Sequence, residues 1–145
     1  MVIVAIPSSG EGGLNESMNP RFGRCPSFTL VTIENGEIKE VRGVPNNAAN
    51  SMGGAGIQAA QTIGNNGAEE VIVGFLGPNA AESLNAMNLK IYQAPNQQLT
   101  VKDVVDLYLE GSLQELDSAN VGAHHGMGGG MGMGSGMGGG RRRQF

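Results

Sequence analysis

Short apolar runs and alternating segments succeed one another along the first part of the chain. Residues 2–6 form a continuous apolar run that ends at a proline, which is typical of a strand buried on both faces. Residues 27–33 alternate between apolar and polar positions, and residues 37–44 do the same. Asn35 and Gly36 lie between these two segments, and such a pair is the strongest short-range signal of a β-hairpin. The pattern predicts a buried first strand followed by a hairpin.

Apolar residues in the middle of the chain recur every three or four positions, which is the spacing of amphipathic helices. Residues 55–66 predict one helix, and residues 79–87 predict a second that begins with Asn79 as its N-cap. Short apolar segments at residues 71–75 and 90–92 predict strands that follow these two helices. Each helix would therefore connect two strands of one sheet.

The clearest helix is predicted over residues 100–110, where valines and a tyrosine share one face. Thr100 and Asp103 have the spacing of a capping box at its start, and Gly111 is expected to end it. Residues 112–116 predict one further helical turn.

The predicted order of elements is βββαβαβα. Parallel strands need crossover connections, which are right-handed, and helices must cover the faces of the sheet. The most economical arrangement is a three-layer α/β/α domain with a mixed five-stranded sheet, in which the first and fourth strands are central. This connectivity is that of a ribonuclease H-like core.

The composition changes abruptly near residue 121. Residues 122–145 contain 11 of the 25 glycines, four of the eight methionines, His124, His125 and three consecutive arginines. Ordering one residue costs about 1–2 kcal/mol of backbone entropy, which a segment without branched aliphatic side chains cannot offset. We therefore expect one domain over residues 1–118 and a flexible Gly/Met/His-rich tail over residues 119–145.

Charge and aromatic content exclude several classes of protein. Residues 1–121 hold all 13 acids but only six bases, so this part has a net charge near −7, which argues against a large contact with nucleic-acid phosphates. Tryptophan is absent and aromatics are 4% of the chain, which argues against binding single strands by base stacking. No stretch of 18 apolar residues and no basic signal region is present. We expect a cytoplasmic protein that binds neither nucleic acid nor membranes.

Residue types needed for common catalytic sites do not occur together. A two-metal nuclease on this fold would need several carboxylates, one of them on the first strand, and that strand has no acid. Both histidines lie in the predicted tail, so no Ser/His/Asp or Cys/His set can form within the domain. We therefore expect the protein not to be an enzyme.

Three glycine-containing loops are predicted at one end of the sheet. In open α/β sheets, ligands bind beyond the carboxyl ends of strands where successive connections leave in opposite directions, here between the first and fourth strands. Two of the loops open onto helix N-termini, where N–H groups attract anions. The alternative is that these glycines only permit tight turns. The candidate cofactor-binding residues in the loops are Ser8, Ser9, Gly10, Gly53, Gly54, Ala55, Gly56, Gly77, Pro78 and Asn79.

A turn that carries two arginines and the only cysteine precedes the second strand. Arg21 and Arg24 flank Phe22 and Gly23, and a guanidinium group binds anions with a planar fork of donors. Positive charge beside Cys25 would favour its thiolate, which makes Cys25 a candidate ligand for a soft metal. The alternative is that Phe22 fills the core, the arginines are solvated and Cys25 is a small buried residue.

The same turn resembles the signature of the dinitrogenase iron–molybdenum cofactor biosynthesis proteins. The residues that carry the resemblance are Phe22, Gly23, Arg24, Pro26 and Phe28, together with a Gly-Gly-Ala-Gly helix start at 53–56 and a Gly-Pro-Asn-Ala turn at 77–80. These landmarks occur in order over roughly residues 1–117.

The resemblance implies the ribonuclease H-like fold and the noncovalent handling of a metal–sulfur cluster rather than turnover of a substrate. It also implies that proteins that donate or accept the cluster are partners. Many members carry histidine immediately before the Phe-Gly pair, whereas this chain has Arg21. Ligation by imidazole is therefore not implied at this position.

The predicted tail offers a second place for a metal. Thioether sulfur and imidazole suit soft or borderline ions such as Cu(I), so His124 and His125 with the tail methionines could gather around one ion. The alternative is a low-complexity tail with incidental methionine and histidine.

Together these observations predict a non-catalytic binding or carrier protein for an iron–molybdenum-type or other metal–sulfur cluster. Such clusters are usually anionic, and the predicted site offers two arginines and two helix N-termini within an acidic domain. The alternative is a small anion- or nucleotide-binding regulatory module, which would use the same glycines and arginines. An assembly adaptor whose tail recruits a partner is a third possibility.

Overall fold

A computed structural model describes residues 1–48 and 54–119 of the chain. Gly53, His124, His125 and the predicted tail beyond residue 119 lie outside these ranges, so what we infer about them stays a prediction. Among the described helices, none combines the length and the apolar character needed to cross a membrane.

Strands and helices alternate as the sequence pattern predicts. The elements are β1 (Val2–Ser8), β2 (Ser27–Glu34), β3 (Glu37–Pro45), α1 (Ala55–Asn65), β4 (Glu70–Val73), α2 (Pro78–Ala86), β5 (Lys90–Gln93), α3 (Val101–Leu109) and β6 (Gln114–Leu116). The strands form one mixed sheet in the order β3-β2-β1-β4-β5-β6. β4 runs parallel to both β1 and β5, and the other neighbours are antiparallel. β1 and β4 are therefore central.

Side chains that alternate along the central strands build one core on each face of the sheet. Ala5 and Val71 pack on the face that α1 and α2 cover. Val4 and Ile72, their neighbours along the strands, pack on the face that α3 covers. Because both faces are covered, β1 and β4 read in the sequence as continuous apolar runs rather than as alternating segments.

Two local signals in the sequence form the structures that they predict. Asn35 and Gly36 both have positive φ, at 56° and 76°, and join β2 to β3. Thr100 accepts a hydrogen bond from the backbone N–H of Asp103, and the Asp103 carboxylate accepts one from the N–H of Thr100, both at 3.1 Å. This capping box satisfies two N–H groups at the start of α3.

The prediction of five strands and a last helical turn is wrong. Residues 114–116 form β6, which pairs antiparallel with β5. Gly111, with φ at +74°, follows α3 and turns the chain back toward the sheet. Leu116 then packs against the core under α1 and α2. A strand of three residues is too short to show a period of its own, so the sequence pattern could not distinguish it from a turn.

Candidate functional site

The N-termini of α1 and α2 lie side by side at the carboxyl end of the sheet. A Cβ atom added to Gly56 would lie only 2.8 Å from the Cβ of Ala80, so glycine at this position permits the close approach of the two helices. Gly54 precedes α1 and Gly77 precedes α2, and neither has a side chain that could cap the helix. The positive ends of two helix dipoles therefore lie close together.

The structure also corrects the start of α2. The helix begins at Pro78 with Gly77 as the N-cap, rather than at Asn79. Proline suits the first helical position because its fixed φ matches the helix and the missing N–H is not needed there. The first turns of α1 and α2 contain no acidic residue, in contrast to α3 with its Asp103. Nothing in the sequence of these two turns therefore opposes an anion.

The Arg21–Cys25 turn is the segment that carries both arginines, and Gly23 places it against α1. A Cβ atom added to Gly23 would lie 3.0 Å from the backbone nitrogen of Gly56. Phe22 is 2% exposed, and its ring centroid lies 5.3 Å from that of Phe28 in the core. The aromatic anchor and the close glycine contact fix this turn beside the start of α1.

Asn46 holds the same turn from the opposite side. Its buried side-chain amide donates hydrogen bonds to the carbonyl oxygens of Gly23 at 3.2 Å and Cys25 at 2.8 Å. The side-chain oxygen accepts from the backbone N–H of Ala48 at 3.1 Å. One asparagine therefore ties the turn to the start of the connection between β3 and α1. The role of Asn46 is not predictable from the sequence, because a single polar residue after a strand carries no distinctive pattern.

The first residues of the turn also contact the segment that leads into α2. Arg21 pairs with Phe75 in a parallel bridge, and the backbone N–H of Phe75 donates to the carbonyl oxygen of Pro20 at 2.7 Å. Arg21 and Arg24 are both exposed. The structure thus brings Arg21, Phe22, Gly23 and Arg24 together with the starts of α1 and α2, including Gly54, Ala55, Gly56, Gly77, Pro78 and Asn79.

The loop after β1 contacts both β2 and α3. The Ser8 side chain is buried and lies 2.8 Å from the Ser27 hydroxyl. Past Ser9 and Gly10, the loop supplies the carbonyl oxygens of Leu14 and Glu16, which accept from the first N–H groups of α3. These contacts belong to the sheet face that α3 covers. The backbone of Ser8 also hydrogen-bonds to the Cys25 thiol, so Ser8 lies against the end of the Arg21–Cys25 turn. Ser9 and Gly10 belong to the loop that supports α3, and the N–H of Ser9 donates to the carbonyl oxygen of Ser17 at 3.0 Å.

Cys25 is buried in the core, which contradicts the expectation that nearby arginines favour its thiolate. Its side chain has no exposed surface, and its Sγ donates to the carbonyl oxygen of Phe22 at 3.2 Å. Burial raises the pKa of the thiol to about 12, against a smaller lowering by the amide of Asn46. At neutral pH the sulfur is therefore a protonated, apolar group and not a ready metal ligand.

This burial predicts how stability depends on pH. A thiol whose pKa is raised by folding stabilises the protein below its ordinary pKa of 9.0, and this contribution is lost as the pH rises toward about 12. We expect the stability difference between the parent and Cys25→Ala to shrink by about 1.4 kcal/mol per pH unit above pH 9. Urea unfolding at several pH values measures this difference. A difference that stays constant up to pH 11 would contradict the raised pKa.

Metal ligands of the usual kinds do not cluster in residues 1–48 and 54–119. Within these ranges no group of three or more His, Cys, Asp or Glu side chains is arranged to hold a metal ion.

A cleft of about 190 Å³, which we call the amide cleft, lies at the carboxyl ends of β1, β4 and β5. It is lined by Met18 and Pro20, by Gly74 and Phe75, and by residues 93–98. Residues 93–98 are not among the site residues predicted from the sequence. Their run of glutamine, asparagine and proline directly after a strand was the available signal.

Solved structures of several proteins are similar to this chain. The apo orange protein from Desulfovibrio gigas is 32% identical, with a TM-score of 0.73, and the match covers 83% of this chain and 97% of that protein. A Thermotoga protein described as a candidate NifB protein is 34% identical, with a TM-score of 0.68, over 81% of this chain and 96% of its own.

Comparison of sequences also finds a similar protein and a matching family. An uncharacterized protein of Methanocaldococcus jannaschii is 36% identical over 103 residues, which are 71% of this chain and 86% of that protein. The family model described as dinitrogenase iron-molybdenum cofactor matches residues 1–111, a range that includes the Arg21–Cys25 turn and the starts of α1 and α2. The chain therefore belongs to the dinitrogenase iron-molybdenum cofactor family.

Proposed function

We propose that this protein binds and carries an anionic metal–sulfur cluster, of the iron–molybdenum type or a related one, and that it catalyses no reaction. The observation that carries the proposal is the close approach of two helix N-termini, each preceded by glycine, beside the Arg21–Cys25 turn. Membership in the family and the likeness to a candidate NifB protein support a role in cofactor biosynthesis or delivery.

Electrostatic attraction between the site and the anionic cluster is the main source of binding energy in this proposal. A helix N-terminus stabilises an anion by about 0.3–1 kcal/mol at an exposed site, and a hydrogen bond from a charged donor contributes about 1.5–3 kcal/mol. Two helices and the guanidinium groups of Arg21 and Arg24 would act on the same guest. The chain up to residue 121 has a net charge near −7, so an anion is repelled elsewhere and held where these groups meet.

A noncovalent site suits a carrier. Within residues 1–48 and 54–119 no histidine occurs and Cys25 is the one cysteine. Because Cys25 is buried and its pKa is raised, this part of the chain offers no ready thiolate or imidazole ligand at the turn. A cluster held by hydrogen bonds and charge keeps its own ligands and can leave intact when a partner offers stronger bonds. We infer that proteins that donate and accept the cluster are the partners, and that the carrier works in the cytoplasm.

The ribonuclease H-like connectivity belongs to the same proposal. β1 to β5 have the predicted order, with β1 and β4 central, and β6 extends the sheet at its far edge. We infer that β1 to β5 form the ribonuclease H-like part and that β6 is an addition to it.

A valine at Gly77 tests where the cluster binds. Gly77 has φ at −80° and ψ at 170°, and a Cβ added there meets no atom within 4 Å, so a larger side chain is tolerated by the fold. We expect Gly77→Val to weaken binding of tetrathiomolybdate, a soluble metal–sulfur dianion, by about tenfold or more, because the isopropyl group occupies the space before α2. Absorbance titration of the full chain measures the dissociation constant.

Ala86→Val is the matched control, since it adds the same side chain at the exposed far end of α2. Its dissociation constant is expected to equal that of the parent. Equal binding by the parent and Gly77→Val would place the dianion elsewhere and overturn the proposed site. Gly54 is less suitable for such a test, because its φ of +70° strains any larger residue.

The alternative, a small anion- or nucleotide-binding regulatory module, rests on the same geometry. Helix N-termini and arginines also bind phosphate. Competition separates the two functions: a cluster carrier should retain tetrathiomolybdate in the presence of millimolar phosphate or ATP. Displacement of the dianion by either phosphate compound at micromolar concentration would favour the regulatory module.

A further inference from the structure

The amide cleft lies where the connections of neighbouring strands leave the sheet in opposite directions. β4 leads into α2 on one face of the sheet, and β5 leads into α3 on the other. In open α/β sheets this switch point, beyond the carboxyl ends of the strands, is the usual place of a ligand. The cleft therefore coincides with a position that the topology alone marks as a binding site.

The segments that line the cleft are held by backbone hydrogen bonds. The N–H of Ala94 donates to the carbonyl oxygen of Val73 at 2.9 Å, which continues the pairing of β4 and β5 into the cleft. The N–H of Gln97 donates to the carbonyl oxygen of Pro95 at 2.9 Å and closes a tight turn. On the opposite wall, Phe75 is fixed by its bond to Pro20. The walls are thus set before any ligand binds.

The side chains that line the cleft are uncharged, and they combine polar carboxamides with an aromatic ring. Four carboxamides, from Gln93, Asn96, Gln97 and Gln98, offer both hydrogen-bond donors and acceptors. The ring of Phe75, which is 37% exposed, offers a flat apolar face, and Pro20 and Pro95 add further apolar surface. None of the described residues that line the cleft has a charged side chain. A small metal ion or a free phosphate would find no counter-charge among them.

Size and chemistry together select a class of ligand. A cavity of roughly 150 Å³ holds a benzene ring, so a cleft of about 190 Å³ suits one compact ring system. Carboxamides pair with the donor and acceptor edge of a purine in two parallel hydrogen bonds, and aromatic side chains stack on its face. An aliphatic or charged ligand would use only one of these two features.

We propose that the amide cleft is a second ligand site, separate from the cluster site, and that it takes the purine base of a nucleoside. The base stacks on Phe75 and its edge hydrogen-bonds to the carboxamides of residues 93–98. Phe75 also pairs with Arg21 through the backbone, so occupation of the cleft contacts the segment that positions the arginine.

Adenosine is the probe, because it has no anionic group and therefore does not compete for the arginines. Titration of the ¹⁵N-labelled full chain is expected to shift the amide signals of Phe75 and residues 93–98 in a saturable way, with a dissociation constant in the millimolar range or below. Ribose is expected to leave these signals unchanged. No shift at about 10 mM adenosine, or equal shifts with ribose, would overturn the proposal. The cluster site is tested separately by titration with tetrathiomolybdate, so failure of either proposal can be distinguished from failure of the other.

Variants identify the two features that select the base. Gln93→Leu keeps a side chain of similar size and removes its hydrogen bonds, and Phe75→Leu removes the flat ring. Each is expected to raise the dissociation constant for adenosine by about fivefold or more. Gln61→Leu, on the exposed side of α1, is the matched control and is expected to bind like the parent. Parent-like binding by both cleft variants would overturn the assignment of the cleft.

Discussion

Replacement of Phe22 by alanine is expected to lower the free energy of unfolding by about 3–5 kcal/mol. Phe22 is 2% exposed and packs against Phe28 within the core that α1 and α2 cover. Truncation removes the buried ring and leaves a cavity, and both the lost burial and the cavity lower stability. The loss should also release the Arg21–Cys25 turn and so weaken binding of an anion. Urea unfolding followed by circular dichroism measures the stability.

Phe75→Ala is the matched control, because Phe75 is 37% exposed. Its cost is expected to be smaller than that of Phe22→Ala by about 1 kcal/mol or more, because more of its side chain is already exposed to water. A cost for Phe22→Ala as small as that of the control would show that Phe22 does not anchor the turn in the core.

Arg21→Ala combined with Arg24→Ala is expected to abolish most of the binding of a metal–sulfur anion. Arg24→Ala alone should weaken binding by about 1–3 kcal/mol, the scale of a charge-assisted hydrogen bond. The double variant should lose more, because the turn that carries both arginines lies beside the helix starts. Titration with tetrathiomolybdate at low and moderate salt measures the loss.

Lys39→Ala combined with Arg42→Ala is the control for net charge. These two bases lie on β3, where Lys39 pairs with Glu37 and Arg42 donates to the carbonyl oxygen of Asn66. The control removes the same charge from another surface and is expected to change binding by less than about 0.5 kcal/mol. Equal losses in the two double variants would mean that overall charge, and not the Arg21–Cys25 turn, attracts the anion.

Local signals in the sequence predicted much of the fold because their causes are local. The Asn35-Gly36 turn depends on two residues that tolerate positive φ, and the capping box depends on Thr100 and Asp103 alone. β6 was not predicted, because it is stabilised by pairing with β5, which is a tertiary contact and not a local signal. The number of strands was therefore wrong while their central order was right.

The part of the candidate site that could be predicted is the part where glycines allow two backbone segments to approach each other closely. Gly23 and Gly56 lie where the Arg21–Cys25 turn and the two helices meet. The loop after β1 has similar glycines, but it serves α3 through carbonyl groups whose partners only the fold reveals. The protonation state of Cys25 could not be predicted, because it depends on burial. The sequence shows the arginines beside Cys25 but not the core that surrounds it.

The most direct test of a noncovalent cluster site is to map a metal–sulfur anion onto the chain. Tetrathiomolybdate added to the ¹⁵N-labelled full chain should shift the amides of residues 21–25, 54–57 and 77–80 most strongly, with one common dissociation constant. Added salt should weaken binding, because the attraction is between charges. Largest shifts among the histidines and methionines of residues 124–137, or no saturable shift at all, would contradict a site formed by Arg21, Arg24 and the starts of α1 and α2.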